Sequence, residues 1–161
     1  MSKTDKLYLA AGAEYVRITL GSLTADSGFP KKVAPFWPGT ERIGFSEGFD
    51  MILKWDDTRA YLFKGPAYAR YDLTADKVDD GYPKQTADYW PGMQEAGFAD
   101  GLDAAVRYDN DTVYFFKGPD YVRYNITNNS VDPGYPRKIT THWDGLAAAG
   151  ATRVRAAWRT A

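Results

Sequence analysis

Apolar and polar positions alternate in short runs along this chain, and the clearest set of runs lies in its last third. Thr112–Lys117 is apolar on both faces, so it predicts a strand that is covered on both sides, and Tyr121–Ile126 predicts the strand after it. A third run, Leu102–Tyr108, predicts an inner strand with small residues at its centre. The separating sequences, Asp109–Asp111 and Gly118–Asp120, are typical of turns. Two turns at hairpin spacing predict an antiparallel meander.

The same pattern occurs three times, with equivalent residues 53 positions apart. Insertions or deletions in loops would change this spacing. Because the spacing is constant, each copy is expected to be one structural unit stacked against its neighbours. The predicted repeats cover about residues 6–48, 49–101 and 102–153 of a single domain spanning 1–161. The residues that keep the interval are Tyr8, Tyr61 and Tyr114; Gly12, Gly65 and Gly118; Arg17, Arg70 and Arg123; Pro30, Pro83 and Pro136; Trp37, Trp90 and Trp143; and Gly44, Gly97 and Gly150.

Strands that are apolar on both faces favour a ring of small sheets, each packed between two others, so the fold class predicted is an all-β propeller. A helical solenoid is disfavoured because only Asp144–Gly150 has a helical pattern longer than one turn. The three repeated tryptophans are expected to fill the space between blades. Each blade is expected to end in a short segment with one helical turn before its tryptophan.

The ends of the chain suggest how three blades could close. The first copy starts at a second strand, from Lys6 onward, and Val154–Trp158 is similar to the inner strand that this copy lacks. Residues 154–161 are therefore expected to complete the first blade by pairing with the N-terminal strand, which would remove free sheet edges. A closed three-bladed monomer is the favoured expectation. The alternative is a six-bladed ring formed by a dimer that exchanges this strand.

Composition narrows the classes of partner. The 20 basic and 21 acidic residues nearly cancel, which argues against a nucleic-acid partner. No apolar run reaches the length of a transmembrane helix, and residues 1–6 lack the apolar stretch of a secretory signal. With no cysteine, the sequence predicts a cytoplasmic protein or one secreted without a recognisable signal peptide.

Candidate catalytic chemistry is sparse. His142 is the only histidine, and it occupies the position of Phe36 and Tyr89 in the other copies, which favours a packing role. Most carboxylates lie in turns, where Asp is favoured for local reasons. The Gly-Pro sequences lack the following Lys-Ser/Thr pair of a phosphate-binding loop. The sequence therefore predicts a protein that is not an enzyme.

The motifs resemble hemopexin-type repeats over essentially the whole chain. The third copy has the inner strand Asp103–Ala105, the second strand Tyr114–Gly118, the third strand Tyr121–Tyr124 and the closing sequences Gly134–Arg137 and Trp143–Gly145. The second copy matches in the same order, and the first copy matches more weakly. The resemblance implies a β-propeller that binds an ion, haem, a polyamine or a protein partner. A carbohydrate-binding propeller is the alternative, and it would need exposed Trp or Tyr beside Asp or Asn in equivalent pockets.

The propeller axis is the predicted binding site, because the inner strands converge there with main-chain groups that have no ladder partner. The resemblance implies ions held by main-chain atoms at six positions: Asp50, Ile52, Asp103, Ala105, Arg155 and Ala157. Arg155 replaces the Asp of the family pattern, which favours an anion or water over calcium. A haem could be ligated by His142, with a tyrosine or a second chain supplying the other ligand. Small molecules or proteins are the expected partners.

Overall fold

The computed structural model describes residues 6–19 and 24–155, with side chains from Gly12 onward except that of Ala147. Three antiparallel sheets follow one another along the chain. The first sheet has the order β1-β2-β3, formed by β1 (Lys6–Ala11), β2 (Glu14–Thr19) and β3 (Lys31–Lys32).

The second and third sheets have five strands each and the same topology. The second contains β4 (Met51–Lys54), β5 (Arg59–Lys64), β6 (Ala67–Asp72), β7 (Lys77–Val78) and β8 (Lys84–Gln85). The third contains β9 (Ala104–Arg107), β10 (Thr112–Lys117), β11 (Asp120–Asn125), β12 (Ser130–Val131) and β13 (Arg137–Lys138). In both, the four-strand path runs from the inner strand outward, and the last short strand pairs with the start of the third.

The helices are short and lie after the last strand of each sheet. The first three are single turns that each end just before a repeated tryptophan: α1 (Val33–Phe36), α2 (Thr86–Tyr89) and α3 (Ile139–His142). The fourth, α4 (Asp144–Ala148), follows Trp143. Among the described residues, no helix has the length and apolar character needed to cross a membrane.

Strand register repeats with the sequence interval. Tyr8 lies opposite Arg17, and the equivalent pairs are Tyr61 with Arg70 and Tyr114 with Arg123. The predicted meander and its strands are confirmed, with differences at the ends of two strands. The third strand, predicted at 121–126, runs over Asp120–Asn125. The inner strand, predicted at 102–108, forms a ladder over Ala104–Arg107, and the Asp103 and Tyr108 amides at its ends still donate to carbonyls of β10.

Aromatic cores fill the spaces between successive sheets. Trp37 packs against Tyr15 of the first sheet and Tyr71 of the second, with ring centroids 5.7 and 4.9 Å away. Trp90 packs against Phe63 of the second sheet and Tyr124 of the third, at 5.5 and 5.2 Å. These tryptophans are 8% and 5% exposed, so the prediction that the repeated tryptophans fill interblade space is confirmed for these two. For Trp143, which is half-buried, it stays a prediction.

A glycine contact also joins each pair of neighbouring blades. A Cβ on Gly39 would lie 2.9 Å from the Cβ of Val78, and one on Gly92 would lie 2.7 Å from that of Val131. The Val78 amide donates to the carbonyl of Pro38, the residue before Gly39, at 2.9 Å. The Val131 amide donates in the same way to the carbonyl of Pro91, the residue before Gly92, at 3.0 Å. At the equivalent glycine of the third copy, Gly145, no described atom lies within 4 Å of the Cβ position.

Closure of the ring remains a prediction. Val154 and Arg155 lie in irregular backbone, and residues 156–161, which include the rest of the predicted closing strand, lie outside the described residues. Neither the three-bladed monomer nor the dimeric ring is therefore established. The division into repeats and a composite first blade likewise remains a proposal.

Candidate functional site

The inner strands β4 and β9 lie against one another, as expected for strands at a propeller axis. In an antiparallel ladder, main-chain groups of successive residues point alternately toward and away from the partner strand. The Trp55 amide donates to the Arg59 carbonyl, and the Tyr108 amide donates to the Thr112 carbonyl, both at 2.9 Å. This alternation directs the main-chain groups of Ile52 and Ala105 toward the edge of each inner strand away from β5 and β10.

The two inner-strand aspartates hold equivalent turns. Asp50 Oδ2 accepts a hydrogen bond from the Gly65 amide at 2.7 Å, and Asp103 Oδ2 accepts one from the Gly118 amide at 2.6 Å. Each bond links the start of an inner strand to the turn after the next strand. The aspartate side chains thus have a structural role in both copies.

Asp103 has a second side-chain partner, whereas no second partner of Asp50 lies among the described residues. Arg153 Nε donates to its Oδ2 at 2.8 Å, and Nη2 donates to its Oδ1 at 2.5 Å, a bidentate pair. The Asp103 side chain is 16% exposed. The Arg153 guanidinium, helped by the Gly118 amide and by the charge of Arg155, holds the pKa of Asp103 below its usual range.

These residues surround an open depression of about 450 Å³, called here the axial depression. The residues that line it are Asp50, Gly101, Leu102, Asp103, Lys117, Arg153 and Arg155. Lys117 forms an ion pair with Asp100 and donates to the Gly97 carbonyl at 2.7 Å. Arg155 has no ion-pair partner among the described residues, and neither has Asp50.

Three of the six predicted axial residues therefore meet at one place: Asp50, Asp103 and Arg155. Ile52 is half-buried, and Ala105 is buried in the core between the second and third sheets, so only their main chain is suited to a ligand. Ala157 lies outside the described residues. No group of three His, Asp or Glu side chains in the described part of the chain is placed to hold a metal ion.

His142 is exposed at the end of α3, away from the residues that line the axial depression. Its ring packs edge-on against Tyr121, with centroids 6.3 Å apart, as Tyr89 packs against Tyr68 at 6.5 Å. Its Nδ1 lies 2.8 Å from the Thr141 hydroxyl, which leaves Nε2 for any ligand. Since the chain has one histidine, a haem held by two imidazoles does not fit a single copy.

A second pocket, which the sequence did not predict, lies between the second and third sheets. This interblade pocket has a volume of about 100 Å³ and is lined by Trp55, Tyr61, Tyr68, Tyr89, Trp90 and Asn129. Asn129 Oδ1 accepts a hydrogen bond from the Tyr124 hydroxyl at 3.0 Å, so its amide nitrogen is the group left for a ligand. Burial raises the pKa of Tyr61 and of Tyr68, so both hydroxyls stay protonated at neutral pH. The one feature of the sequence that could have indicated this pocket is the ring-bearing residue that recurs at the position of Phe36, Tyr89 and His142.

Comparison with known protein families and curated proteins gives consistent matches. The Hemopexin family model matches residues 49–95 and 102–147. Albumin-2 of Pisum sativum is 33% identical over 124 residues, covering 73% of this chain and 53% of its own length. Matrix metalloproteinase-21 of Homo sapiens is 31% identical over 121 residues, covering 70% of this chain and 20% of its own length. The chain thus spans about half the length of the seed albumins that it matches, and less of the proteinases.

Solved structures agree with these matches. A hemopexin-fold protein from cow pea superposes with a TM-score of 0.84 at 25% identity, covering 98% of this chain and 73% of that one. A seed albumin from Lathyrus sativus gives 0.86 at 25% identity, covering 99% and 74%. A plant lectin with two metal binding sites from Cicer arietinum gives 0.77 at 26% identity, covering 91% and 68%. Repeats, topology and family match together establish that this chain belongs to the hemopexin family.

Proposed function

We propose that this chain is a non-enzymatic binding module of hemopexin type and that its axial depression binds a small anion. The observation that supports an anion is the guanidinium of Arg155, which lines the depression together with Asp50, the one lining carboxylate without a described ion-pair partner. Arg153 neutralises Asp103, and Lys117 is paired with Asp100, whereas Arg155 has no described ion-pair partner. A guanidinium with unused N–H donors is suited to an anionic ligand.

A cation is the competing occupant of the same axis. The main-chain carbonyls of Ile52 and Ala105 are oxygen ligands of the kind that hard cations prefer. The carboxylate of Asp50 adds negative charge, and the positive charge of Arg155 opposes a cation. The structurally similar lectin from Cicer arietinum is described as having two metal binding sites. An anion and a cation therefore need to be tested side by side.

Thermal unfolding in chloride and in calcium salts separates these occupants. A ligand that binds only the folded state stabilises it by about 2.7 kcal/mol at a hundredfold excess over Kd. We expect chloride, added against an inert counter-anion, to raise the melting temperature, and Arg155→Gln to abolish the rise. Lys77→Gln, which removes an exposed lysine that does not line the depression, is the matched control. A calcium-dependent rise that persists in Arg155→Gln, without a chloride effect, would assign a cation instead.

Haem and polyamines remain proposed ligands on the strength of the family resemblance. A single axial bond through His142 Nε2 is the haem geometry that this chain offers. We expect hemin titration of such a site to give a Soret shift that His142→Ala removes. A hemin shift that is unchanged in His142→Ala would exclude this ligand role. Spermine has no Soret band, so a polyamine is tested by calorimetric titration instead.

Carbohydrate binding is a second candidate function, and the interblade pocket favours it. The pocket combines aromatic rings with an asparagine amide, as a sugar site requires. A plant albumin from Cicer arietinum with a TM-score of 0.78 and 25% identity is described as showing hemagglutination. Screening the protein on a glycan array tests this function, and an array without bound sugars would reject it.

A further inference from the structure

A lysine lies between two aromatic rings beside the interblade pocket. Lys84 Nζ is 4.3 Å from the ring centroid of Tyr89 and 5.0 Å from that of Tyr82. Tyr89 lines the pocket, yet it is 52% exposed. A cationic group, an accessible ring and a small aromatic pocket therefore meet at one surface of the second blade.

The cation and the aromatic ring, without the pocket, recur in the first blade and, in altered form, in the third. Lys31 Nζ is 4.3 Å from the ring of Phe36 and 5.1 Å from that of Phe29, and Phe36 is 49% exposed. In the third blade, Arg137 lies 4.6 Å from the ring of Tyr135, and the exposed His142 takes the position of Phe36.

These cations differ from the repeated arginines next to them. The arginines are neutralised within their own blades: Arg17 by Asp26, Arg70 by Asp79 and Arg123 by Asp132. Lys31, Lys84 and Arg137 have no ion-pair partner among the described residues. In the first two blades, a lysine without a described ion-pair partner thus lies next to an exposed ring, Phe36 or Tyr89. In the third blade, Arg137 lies next to the half-buried Tyr135.

We infer that this surface binds sugars that carry an acidic group, one unit per blade, with the principal site at Tyr89 and Lys84. The apolar face of the sugar ring packs on Tyr89, the Asn129 amide donates to a ring hydroxyl, and Lys84 pairs with the acidic group. Sites in successive blades would engage a polymer of such units with avidity. This inference rests on the carbohydrate-binding function proposed above and names its ligand class.

Three hexasaccharide probes test it: a galacturonate, a sulfated galactan and a neutral galactan. Binding is measured by calorimetry at low and at physiological ionic strength. We expect both acidic probes to bind more tightly than the galactan, with an advantage that shrinks as salt is added. A preference for one acidic probe assigns the site to carboxylate or to sulfate.

Variants distinguish the roles of the two side chains. Tyr89→Ala should weaken binding of every probe about tenfold, whereas Tyr89→Phe, which keeps the ring, should retain it. Lys84→Gln should weaken only the acidic probes, by about threefold, and Lys77→Gln in the same blade should change nothing. Because Lys84 and Tyr89 lie at the surface, unchanged melting temperatures serve as the check on folding.

The outcomes separate the inference from the function on which it rests. Equal affinity for acidic and neutral probes, unaffected by Lys84→Gln, would overturn the acidic-sugar inference while carbohydrate binding stands. Failure of all three probes would overturn the acidic-sugar inference, and a glycan array without bound sugars would reject carbohydrate binding as well. Binding of poly-glutamate that depends on Lys84 but not on Tyr89 would assign the surface to acidic peptides instead.

Discussion

At the residue scale, equivalent positions in the three copies have unequal surroundings, which makes the copies controls for one another. Trp90 contacts rings of two sheets and is buried, whereas the described rings that Trp143 contacts all belong to the third sheet, and Trp143 is half-buried. Asp50 and Asp103 hold equivalent turns, and within the described part of the chain Asp103 is the one of the two that pairs with an arginine. The same residue type at equivalent positions is therefore expected to contribute differently to stability, because the residues around it differ.

We predict that Trp90→Ala lowers the free energy of unfolding by about 3–5 kcal/mol, because it empties a buried aromatic site between two sheets. Trp143→Ala should cost less, since its side chain is only partly removed from water. Urea unfolding followed by circular dichroism measures both. Equal losses would mean that Trp143 is also enclosed by a neighbouring blade in solution, as a closed ring requires.

The pair between Asp103 and Arg153 makes a pH-dependent contribution to stability. Because the folded pKa of Asp103 is depressed, this contribution is complete above the ordinary aspartate pKa of about 3.9 and is lost as pH falls through the folded value. We predict that Arg153→Gln destabilises the protein at pH 6 and that the gap from wild type narrows below about pH 4. Unfolding measured from pH 3 to pH 7 checks this, and a gap that is constant down to pH 3 would contradict it.

At the element scale, blades are joined by backbone as well as by side chains. Gly39 and Gly92, each two residues after a repeated tryptophan, have positive φ. Each approaches the short outer strand of the next blade. Only a residue without a Cβ allows that approach together with the hydrogen bond from the valine amide to the proline carbonyl. The equivalent Gly145 has space around it.

We predict that Gly92→Ala destabilises the protein by about 1–3 kcal/mol, because alanine at φ +85° is strained and its Cβ would meet Val131. Gly145→Ala should be neutral or slightly stabilising, since it lies in α4, where alanine is favoured. Thermal unfolding of the two variants compares them directly. A loss in Gly145→Ala as large as in Gly92→Ala would show that the third blade also packs closely against another blade.

At the scale of the whole molecule, described residues form the junction between the first and second blades and the junction between the second and third. A junction between the third blade and the first is a proposal. Solved relatives of this fold are longer, since about three quarters of their length matches the present chain. We propose that residues 154–161 supply the inner strand of the first blade, which would pair the main-chain edge of β1.

Deleting residues 154–161 is therefore expected to lower the melting temperature or to drive association, because it exposes the β1 edge. The deletion keeps Arg153, so the ion pair to Asp103 is retained, and Arg153→Gln in the full chain is the matched control. Light scattering measures the mass of the full-length chain. A mass of 18.0 kDa is expected for the closed monomer, and twice that value for the dimeric ring. A truncated chain that stays monomeric with an unchanged melting temperature would refute closure by this segment.

The sequence by itself determined the repeat, the strand positions and the tryptophan positions, and it predicted the group Asp50, Asp103 and Arg155, which line one depression. These features follow from local periodicity and from a 53-residue interval that places equivalent residues at equivalent points of each blade. The tertiary structure alone decided the pairing of Arg153 with Asp103, the glycine–valine contacts and the pocket that joins Trp55 and Tyr89 with Asn129. Each of these joins residues from different parts of the chain through the angle at which two sheets pack, and such contacts leave no periodic pattern in a single sequence.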